Sequence, residues 1–268
     1  MKGIIGTICG DIIGSTYEFN PTKDFWFELF TPKSKFTDDT VMTCAVAEWL
    51  MTDSKHSHQK LIEIMHRYGD EYPHSGYGGM FKKWLENHWT EPYNSYGNGS
   101  AMRVSPVGYY AKSLEESLQL AQISAEVTHD HPEGIIGAQA VAATIFMRKQ
   151  NINEKEIKNY INQHFFYDLD EIEKNWKLIH QNYKFDVTCQ GSVPEAIYCS
   201  FVTNDYENAI RLAVSLGGDA DTQAAIVGGI VAVNQTVPDY ILNPCLELLD
   251  PPLIDLIEQF NKFVNIKE

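Results

Sequence analysis

Two acidic clusters far apart in the chain contain the residue types best suited to chemistry. The first is Phe36-Thr37-Asp38-Asp39-Thr40, and the second is Gly217-Gly218-Asp219-Ala220-Asp221-Thr222. Each cluster supplies two carboxylates with flanking hydroxyl groups, and each opens an apolar run with helical spacing. Oxygen ligands of this kind suit hard cations such as Mg²⁺, Mn²⁺ or Ca²⁺ and argue against zinc. The clusters therefore predict binding of a divalent metal.

The second cluster is expected to lie in a buried position. The segment that follows it, Gln223–Val233, is apolar on every face, which predicts a buried helix. A buried ionised carboxylate is costly unless it is paired or bound to metal, and no Lys or Arg occurs between Arg211 and Lys262. Helix capping by Asp and Thr is the alternative interpretation. Capping needs one side-chain oxygen, however, and each cluster offers several.

The composition excludes some classes of partner. The 268 residues include 21 basic and 36 acidic ones, and the net charge of −15 opposes non-specific binding to nucleic acid or anionic membrane. The five cysteines are scattered and mostly in apolar surroundings, which is typical of reduced core residues in a cytoplasmic protein. The longest apolar segment, around Ala224–Val233, is too short to span a membrane.

Helical spacing dominates the chain, whereas strand-like alternation is nearly absent. The pattern predicts an all-α fold, with the chemistry on the loops and first turns between helices. No linker or repeat separates the two halves, so we expect a single domain over residues 1–268. The predicted helices cover residues 39–51, 59–68, 114–127, 132–150, 153–165, 169–181, 193–202, 206–215, 219–233 and 251–263.

Two further segments are rich in glycine and small polar residues. The loop Tyr96–Arg103 could cradle phosphate through its backbone N–H groups, although Asn-Gly also marks ordinary turns. The segment Thr128–Gly134 precedes an apolar helix, and its two histidines, His129 and His131, could contact a polar substrate. A metal-binding histidine pair is disfavoured because no third His or Cys has suitable spacing nearby. A simple capping loop for the following helix is the other alternative.

Taken together, these segments resemble the ADP-ribosylglycohydrolase family. This group includes dinitrogenase reductase-activating glycohydrolase and the ADP-ribosylarginine and ADP-ribosylserine hydrolases. The resemblance spans nearly the whole chain, and its motifs follow the family's order. The stretch Gly191–Ala196 also resembles one seen in many bacterial members. The motifs that carry the resemblance are residues 10–15 with Glu18, residues 36–40, residues 97–103, Thr128-His129 and residues 216–222.

The resemblance implies an all-α orthogonal multi-helix bundle with two Mg²⁺ or Mn²⁺ ions in a cleft. Glu18 would lie beside the metals and act in catalysis together with the four aspartates. The implied metal ligands are Thr37, Asp38, Asp39, Asp219, Asp221 and Thr222. The implied contacts to the diphosphate and ribose of the substrate are Asn98, Gly99, Ser100, Met102 and His129.

The implied reaction is hydrolysis of the glycosidic bond between ADP-ribose and an acceptor by a metal-activated water, with Glu18 moving the proton of the leaving group. The acceptor stays open, because some arginine-directed relatives carry an acid shortly before the Asn-Gly-Ser motif, where this chain has Ser95. One alternative is a non-catalytic ADP-ribose-binding protein, as in crystallin relatives of this fold. The intact ligand set opposes it. Another is a two-metal phosphoesterase, which would release AMP or phosphate.

Overall fold

The structure, a computed structural model, describes residues 1–203 and 205–265. Fifteen helices lie within these residues. The one β-type pairing in the same residues is an isolated bridge between Gly97 and Thr188. The prediction of an all-α fold is therefore confirmed. The helices are α1 (Ile5–Gly14), α2 (Asp38–Thr52), α3 (His58–Glu71), α4 (Gly79–Glu86), α5 (Gly99–Met102), α6 (Ser105–Tyr110), α7 (Leu114–Glu126), α8 (Pro132–Lys149), α9 (Glu154–Phe165), α10 (Leu169–Asn182), α11 (Cys189–Val202), α12 (Tyr206–Ser215), α13 (Ala220–Val231), α14 (Asp239–Leu248) and α15 (Pro251–Phe263).

Helices α1 and α13 pack with their backbones in direct contact. A Cβ atom on Gly10 would lie 2.1 Å from the carbonyl oxygen of Ala224, and one on Gly228 would lie 2.0 Å from that of Gly6. Glycine has no Cβ, so it permits an approach that any other residue would block. The close packing brings Asp11, in the middle of α1, next to the first turn of α13.

An irregular connection, residues 15–37, joins α1 to α2 and carries Glu18. Lys23 bonds this connection to the segments that follow α10 and α12. The Lys23 ammonium donates hydrogen bonds to the carbonyl oxygens of Tyr183, at 3.0 Å, and of Leu216. Since Leu216 directly precedes the glycine pair of the second acidic cluster, the connection and that cluster are held together.

The glycine-rich loop before α5 is bonded to the beginning of α11. The Asn98 N–H donates to the carbonyl oxygen of Val187 at 2.8 Å, and the Cys189 N–H donates to that of Tyr96 at 2.9 Å. Helix α11 also packs against α13. The loop, α11 and the beginning of α13 therefore meet at one end of the bundle.

Each of the ten predicted segments corresponds to a helix, but two boundaries were wrong by three residues or more. Helix α3 continues to Glu71 rather than ending at Tyr68. Helix α11 begins at Cys189 rather than Val193, so that Pro194 lies inside it. The Thr188 side chain caps the helix by accepting from the Gly191 N–H at 3.1 Å, and this cap sets the earlier beginning. Helices α1, α4, α5, α6 and α14 were not predicted. All ten residues of α1 are buried, and three of them are glycines, which lower helix propensity.

All five cysteines are buried and free, as their apolar surroundings predicted. Among the described residues, no helix combines the length and hydropathy needed to cross a membrane.

Candidate functional site

A pocket of about 320 Å³ joins segments that are far apart in the sequence. Both acidic clusters, the glycine-rich loop and the segment before α8 contribute to its wall. The predicted site residues that line it are Glu18, Asp38, Asp39, Asn98, Gly99, Met102, His129, Asp219, Asp221 and Thr222.

The carboxylates around the pocket form two groups with the spacing of a metal site. Asp11, Asp39 and Asp221 make up the first group, and Glu18, Asp219 and Asp221 make up the second. Within each group, one oxygen from every residue lies within 4.8 Å of the others. Asp221 belongs to both groups, so the two candidate cation positions share one aspartate.

These groups differ from the ligand set that the sequence implied. Each group combines residues from different parts of the chain rather than one sequence cluster. Asp11 joins the first group, Glu18 joins the second, and Asp38 belongs to neither, although it lines the pocket. The contact between α1 and α13 is the reason, because it brings Asp11 to the acidic clusters.

Asp11 was missed as a site residue, and its surroundings explain its place. It is fully buried and accepts hydrogen bonds from the backbone N–H groups of Thr37, at 2.9 Å, and Thr40, at 3.1 Å. The hydroxyl groups of the same two threonines also donate to it, at 2.7 and 2.5 Å. Asp11 thus anchors the beginning of α2 to α1. The available sequence signal was a single acid inside the apolar run Ile4–Ile13.

Helix capping does not account for the acidic clusters. In α2 the capping group is the hydroxyl of Thr37, which accepts from the Asp39 N–H at 3.3 Å, so neither aspartate carboxylate serves as the cap. In α13 the capping residue is Asp219, but its side chain makes no capping hydrogen bond. Instead, Oδ2 of Asp219 accepts from Nδ2 of Asn98 at 2.7 Å. The carboxylates therefore point to another use.

Burial and mutual repulsion disfavour the ionised form of these acids. Burial, together with the charges of Asp221 and Asp11, raises the pKa of Asp39 well above its ordinary value. Burial raises the pKa of Asp219 to about 6, although hydrogen bonds from Asp221 and Asn98 oppose the shift. Burial and the charges of Asp221 and Asp11 also raise the pKa of Glu18 to about 8. When these acids are ionised they repel one another, and a bound cation would offset that repulsion.

The donor set fits a hard divalent cation. Oδ1 of Asp39 is buried and has no hydrogen-bond partner, so its desolvation is uncompensated by the protein. In residues 1–203 and 205–265, no Lys, Arg or His forms an ion pair with the carboxylates of the two groups. All the ligands are oxygens, which Mg²⁺ and Mn²⁺ prefer.

A buried relay fixes the orientation of His129. The Arg103 guanidinium donates to Oγ1 of Thr128 at 2.9 Å, and this hydroxyl lies 2.7 Å from Nδ1 of His129. A guanidinium can only donate, so the Thr128 hydroxyl keeps its own hydrogen for an acceptor; with Nδ1 as that acceptor, the ring proton resides on Nε2. Burial and the charge of Arg103 lower the pKa of His129 well below its ordinary value, so the ring is neutral. Nε2 faces the glycine-rich loop, 3.1 Å from where a Cβ on Gly99 would be.

Two predicted site residues lie behind the pocket wall. The Ser100 hydroxyl is fully buried and donates to the carbonyl oxygen of Gly134 at 2.6 Å. The Thr37 hydroxyl is committed to Asp11 and to the cap of α2. His131 caps α8, since its Nδ1 accepts from the Glu133 N–H at 3.1 Å, which confirms the capping interpretation for this histidine.

The fold and the site define an all-α protein whose pocket joins two carboxylate groups to a glycine-rich loop. Residues 1–263 match the family model of ADP-ribosylglycohydrolase, and the chain belongs to this family.

Several known proteins are similar to this chain. ADP-ribosylhydrolase ARH3 from Homo sapiens is 26% identical over 304 residues, an alignment that covers 85% of this chain and 82% of that protein. ADP-ribosylarginine hydrolase Tri1 from Pseudomonas putida is 22% identical, with 89% and 72% covered. A solved structure described as an ADP-ribosylglycohydrolase-related protein complex has a TM-score of 0.70 at 19% identity, over 97% of this chain and 96% of that one. The structural likeness shows the shared fold.

Proposed function

We propose that this protein is a metal-dependent hydrolase that cleaves the glycosidic bond between ADP-ribose and an acceptor. The observation that carries the proposal is the pair of carboxylate groups that share Asp221 and border the same pocket as the loop residues 97–99. Membership of the family and the names of the hydrolases ARH3 and Tri1 support an ADP-ribosylated substrate. The acceptor could be a protein side chain or a small molecule.

The cations would be two Mg²⁺ or Mn²⁺ ions. Asp11, Asp39 and Asp221 would hold one ion, and Asp219 and Asp221 the other, with Glu18 beside it and with Asp38 and Thr222 at the adjoining wall. When bound, the ions would lower the pKa of a water molecule and attract the hydroxyl groups of the ribose. Their local charge would also let a protein of net charge −15 accept an anionic diphosphate.

Glu18 is the residue best suited to transfer a proton. Its side chain is half-buried at the pocket wall, and a pKa of about 8 means that it carries a proton at neutral pH in the metal-free protein. A carboxylic acid in this position can donate to the oxygen or nitrogen of the leaving group as the glycosidic bond breaks.

The opposite part of the pocket suits the diphosphate. Gly97 and Gly99 border it without side chains, so a phosphate group can approach the backbone closely. The Nε2–H of His129 provides a neutral donor facing this loop, and the buried Arg103 adds positive charge behind it.

A product analysis tests the proposal. Purified protein is incubated with Mg²⁺ or Mn²⁺ and with arginine-, serine-, acetyl- and DNA-linked ADP-ribose, and the products are identified by mass spectrometry. We expect free ADP-ribose from at least one substrate, with activity lost in EDTA and in Asp221→Asn and kept in Asp255→Asn, which alters an exposed acid on α15. Release of AMP or phosphate would instead indicate a phosphoesterase. Binding of ADP-ribose without turnover would indicate a non-catalytic binding protein.

A further inference from the structure

A buried chain of hydrogen bonds connects the beginning of α11 to the acidic group. Ser192 Oγ donates to the carbonyl oxygen of Thr188 at 2.6 Å and accepts from Nδ2 of Asn98 at 3.2 Å. The same Asn98 nitrogen donates to Oδ2 of Asp219 at 2.7 Å. Ser192 is fully buried and lies outside the pocket wall, whereas Asn98 and Asp219 line it. The Ser192 hydroxyl therefore reaches the acidic group through Asn98.

The geometry fixes the direction of each bond. The Ser192 hydroxyl donates its single hydrogen to the carbonyl oxygen of Thr188, so its oxygen can only accept from the side-chain amide of Asn98. Both neighbours of the Asn98 amide nitrogen are then acceptors, and each takes one of its two hydrogens. A flipped amide would place its own oxygen against both Ser192 Oγ and the carboxylate of Asp219. The serine thus holds the amide in the orientation that Asp219 requires.

We propose that Ser192 is a positioning residue for the metal centre. By fixing the Asn98 amide, it restrains Oδ2 of Asp219 and leaves the other oxygen of that carboxylate to the cation. This inference rests on the proposed function, because it assumes that Asp219 binds metal. Hydrogen-bond partners of metal ligands typically change metal affinity about 10–100-fold when they are removed.

The same contacts link the metal centre to the glycine-rich loop. The Asn98 N–H is bonded to Val187, in the segment that leads into α11, while its side chain is bonded to Ser192 and Asp219. Backbone and side chain of one residue thus join three segments. Through Ser192, the Asn98 side chain is held at the metal centre while its backbone belongs to the glycine-rich loop.

Calorimetric titration of the metal-free protein with Mn²⁺ tests the role of Ser192 without an activity assay. We expect Ser192→Ala to raise the Mn²⁺ dissociation constant about 10–100-fold. Ser200→Ala is the matched control, because Ser200 is also fully buried in α11 and donates to a helix carbonyl, that of Ile197, at 2.7 Å. The Mn²⁺ dissociation constant of Ser200→Ala should equal that of the wild type. Melting in EDTA shows for each variant whether the fold is retained.

A double-mutant cycle shows whether Ser192 acts through Asn98. If it does, Ser192→Ala adds little to the loss of Mn²⁺ affinity already caused by Asn98→Ala. Fully additive losses, or an unchanged dissociation constant in Ser192→Ala, would overturn the inference. Should Ser192→Ala fail to fold, the nearly isosteric Ser192→Cys takes its place, with weaker Mn²⁺ binding expected and an unchanged constant counting against the inference.

Failure of the inference and failure of the proposed function give different results. If wild-type protein binds Mn²⁺ and Asp219→Asn weakens binding but Ser192→Ala does not, only the positioning role is overturned. If the wild type binds neither Mn²⁺ nor Mg²⁺, both proposals are overturned together.

Discussion

At the scale of single residues, the site depends on acids whose environments give them different tasks. Asp11 accepts four hydrogen bonds from two threonines, three of them on Oδ2, whereas Oδ1 of Asp39 has no hydrogen-bond partner. Asp219 is held on one oxygen by Asn98. Glu18, at the edge of the group, is only half-buried. Its exposure and its raised pKa make it the acid best able to exchange a proton with substrate.

Replacing Glu18 tests that division of tasks. We expect Glu18→Gln to cut turnover by about 10²–10⁴, the usual span for general acid–base catalysis, while ADP-ribose affinity changes only a few-fold. Single-turnover assays and titration calorimetry measure the two quantities. Glu28→Gln is the control, since Glu28 lies in the same connection with an exposed side chain and should keep full turnover. Unchanged turnover in Glu18→Gln would exclude proton transfer by this residue, and lost Mn²⁺ binding would make it a metal ligand.

At the scale of elements, the contact between α1 and α13 sets the spacing of the carboxylates. Gly6, Gly10 and Gly14 recur every four residues on α1, and each faces the backbone of α13. A Cβ at any of them would fall within 2.5 Å of backbone or side-chain atoms of the other segment, so the two helices are in direct contact. Moving them apart would open a void in the core, which is costly. Asp11 and Asp221 are carried by these two helices, so their separation depends on the glycines.

We expect Gly10→Ala to destabilise the protein by about 1–3 kcal/mol or more, as overpacking does in cores, and to weaken Mn²⁺ binding as well. The added Cβ would lie 2.1 Å from a backbone oxygen, which cannot turn aside as a side chain can. Urea denaturation and Mn²⁺ titration measure the two effects. For stability, Gly79→Ala is the control, because a Cβ there meets nothing within 4 Å. Equal stability of the two variants would contradict the tight contact.

The sequence predicts the elements that have a period and the acids that are clustered. Amphipathic helices such as α3 and α12 show their apolar face directly in the spacing of residues. Helix α1 was missed because three of its ten residues are glycines, which lower helix propensity. The role of Asp11 in the site was missed for a different reason, because its partners come from segments that only the fold brings near. The bond from Asn98 to Asp219 likewise leaves no local pattern.

At the scale of the whole molecule, the buried acids make the stability of the metal-free protein depend on pH. Their pKa values in the folded state lie above the unfolded values near 3.8 and 4.5, reaching about 6 for Asp219 and about 8 for Glu18. Between the unfolded and folded values, the native protein binds more protons than the unfolded chain. Stability is therefore greatest at the acidic end of this window and falls as the pH rises.

Metal should reverse this trend, because cations replace the protons. In EDTA we expect a lower melting temperature at pH 8 than at pH 5.5, and a larger rise on adding Mn²⁺ at pH 8. At a metal concentration 100-fold above the dissociation constant, the gain should be about 2.7 kcal/mol per independent site. In Asp221→Asn the pH dependence should shrink and the Mn²⁺ effect should disappear. An equal Mn²⁺ effect at both pH values in the wild type would contradict the role of these carboxylates.

The pairing of α1 with α13 also has a consequence for how the protein is made. Asp11 and Asp221 are more than 200 residues apart in the sequence. At the usual pace of synthesis, about 5–20 residues per second, α1 emerges from the ribosome roughly 10–40 s before its partner exists. Throughout that interval its glycine face and its central acid lack the helix that covers them. The proposed divalent ions would bind only after nearly the whole chain has been synthesised, so a metal-loaded molecule would be one in which α1 and α13 have already paired.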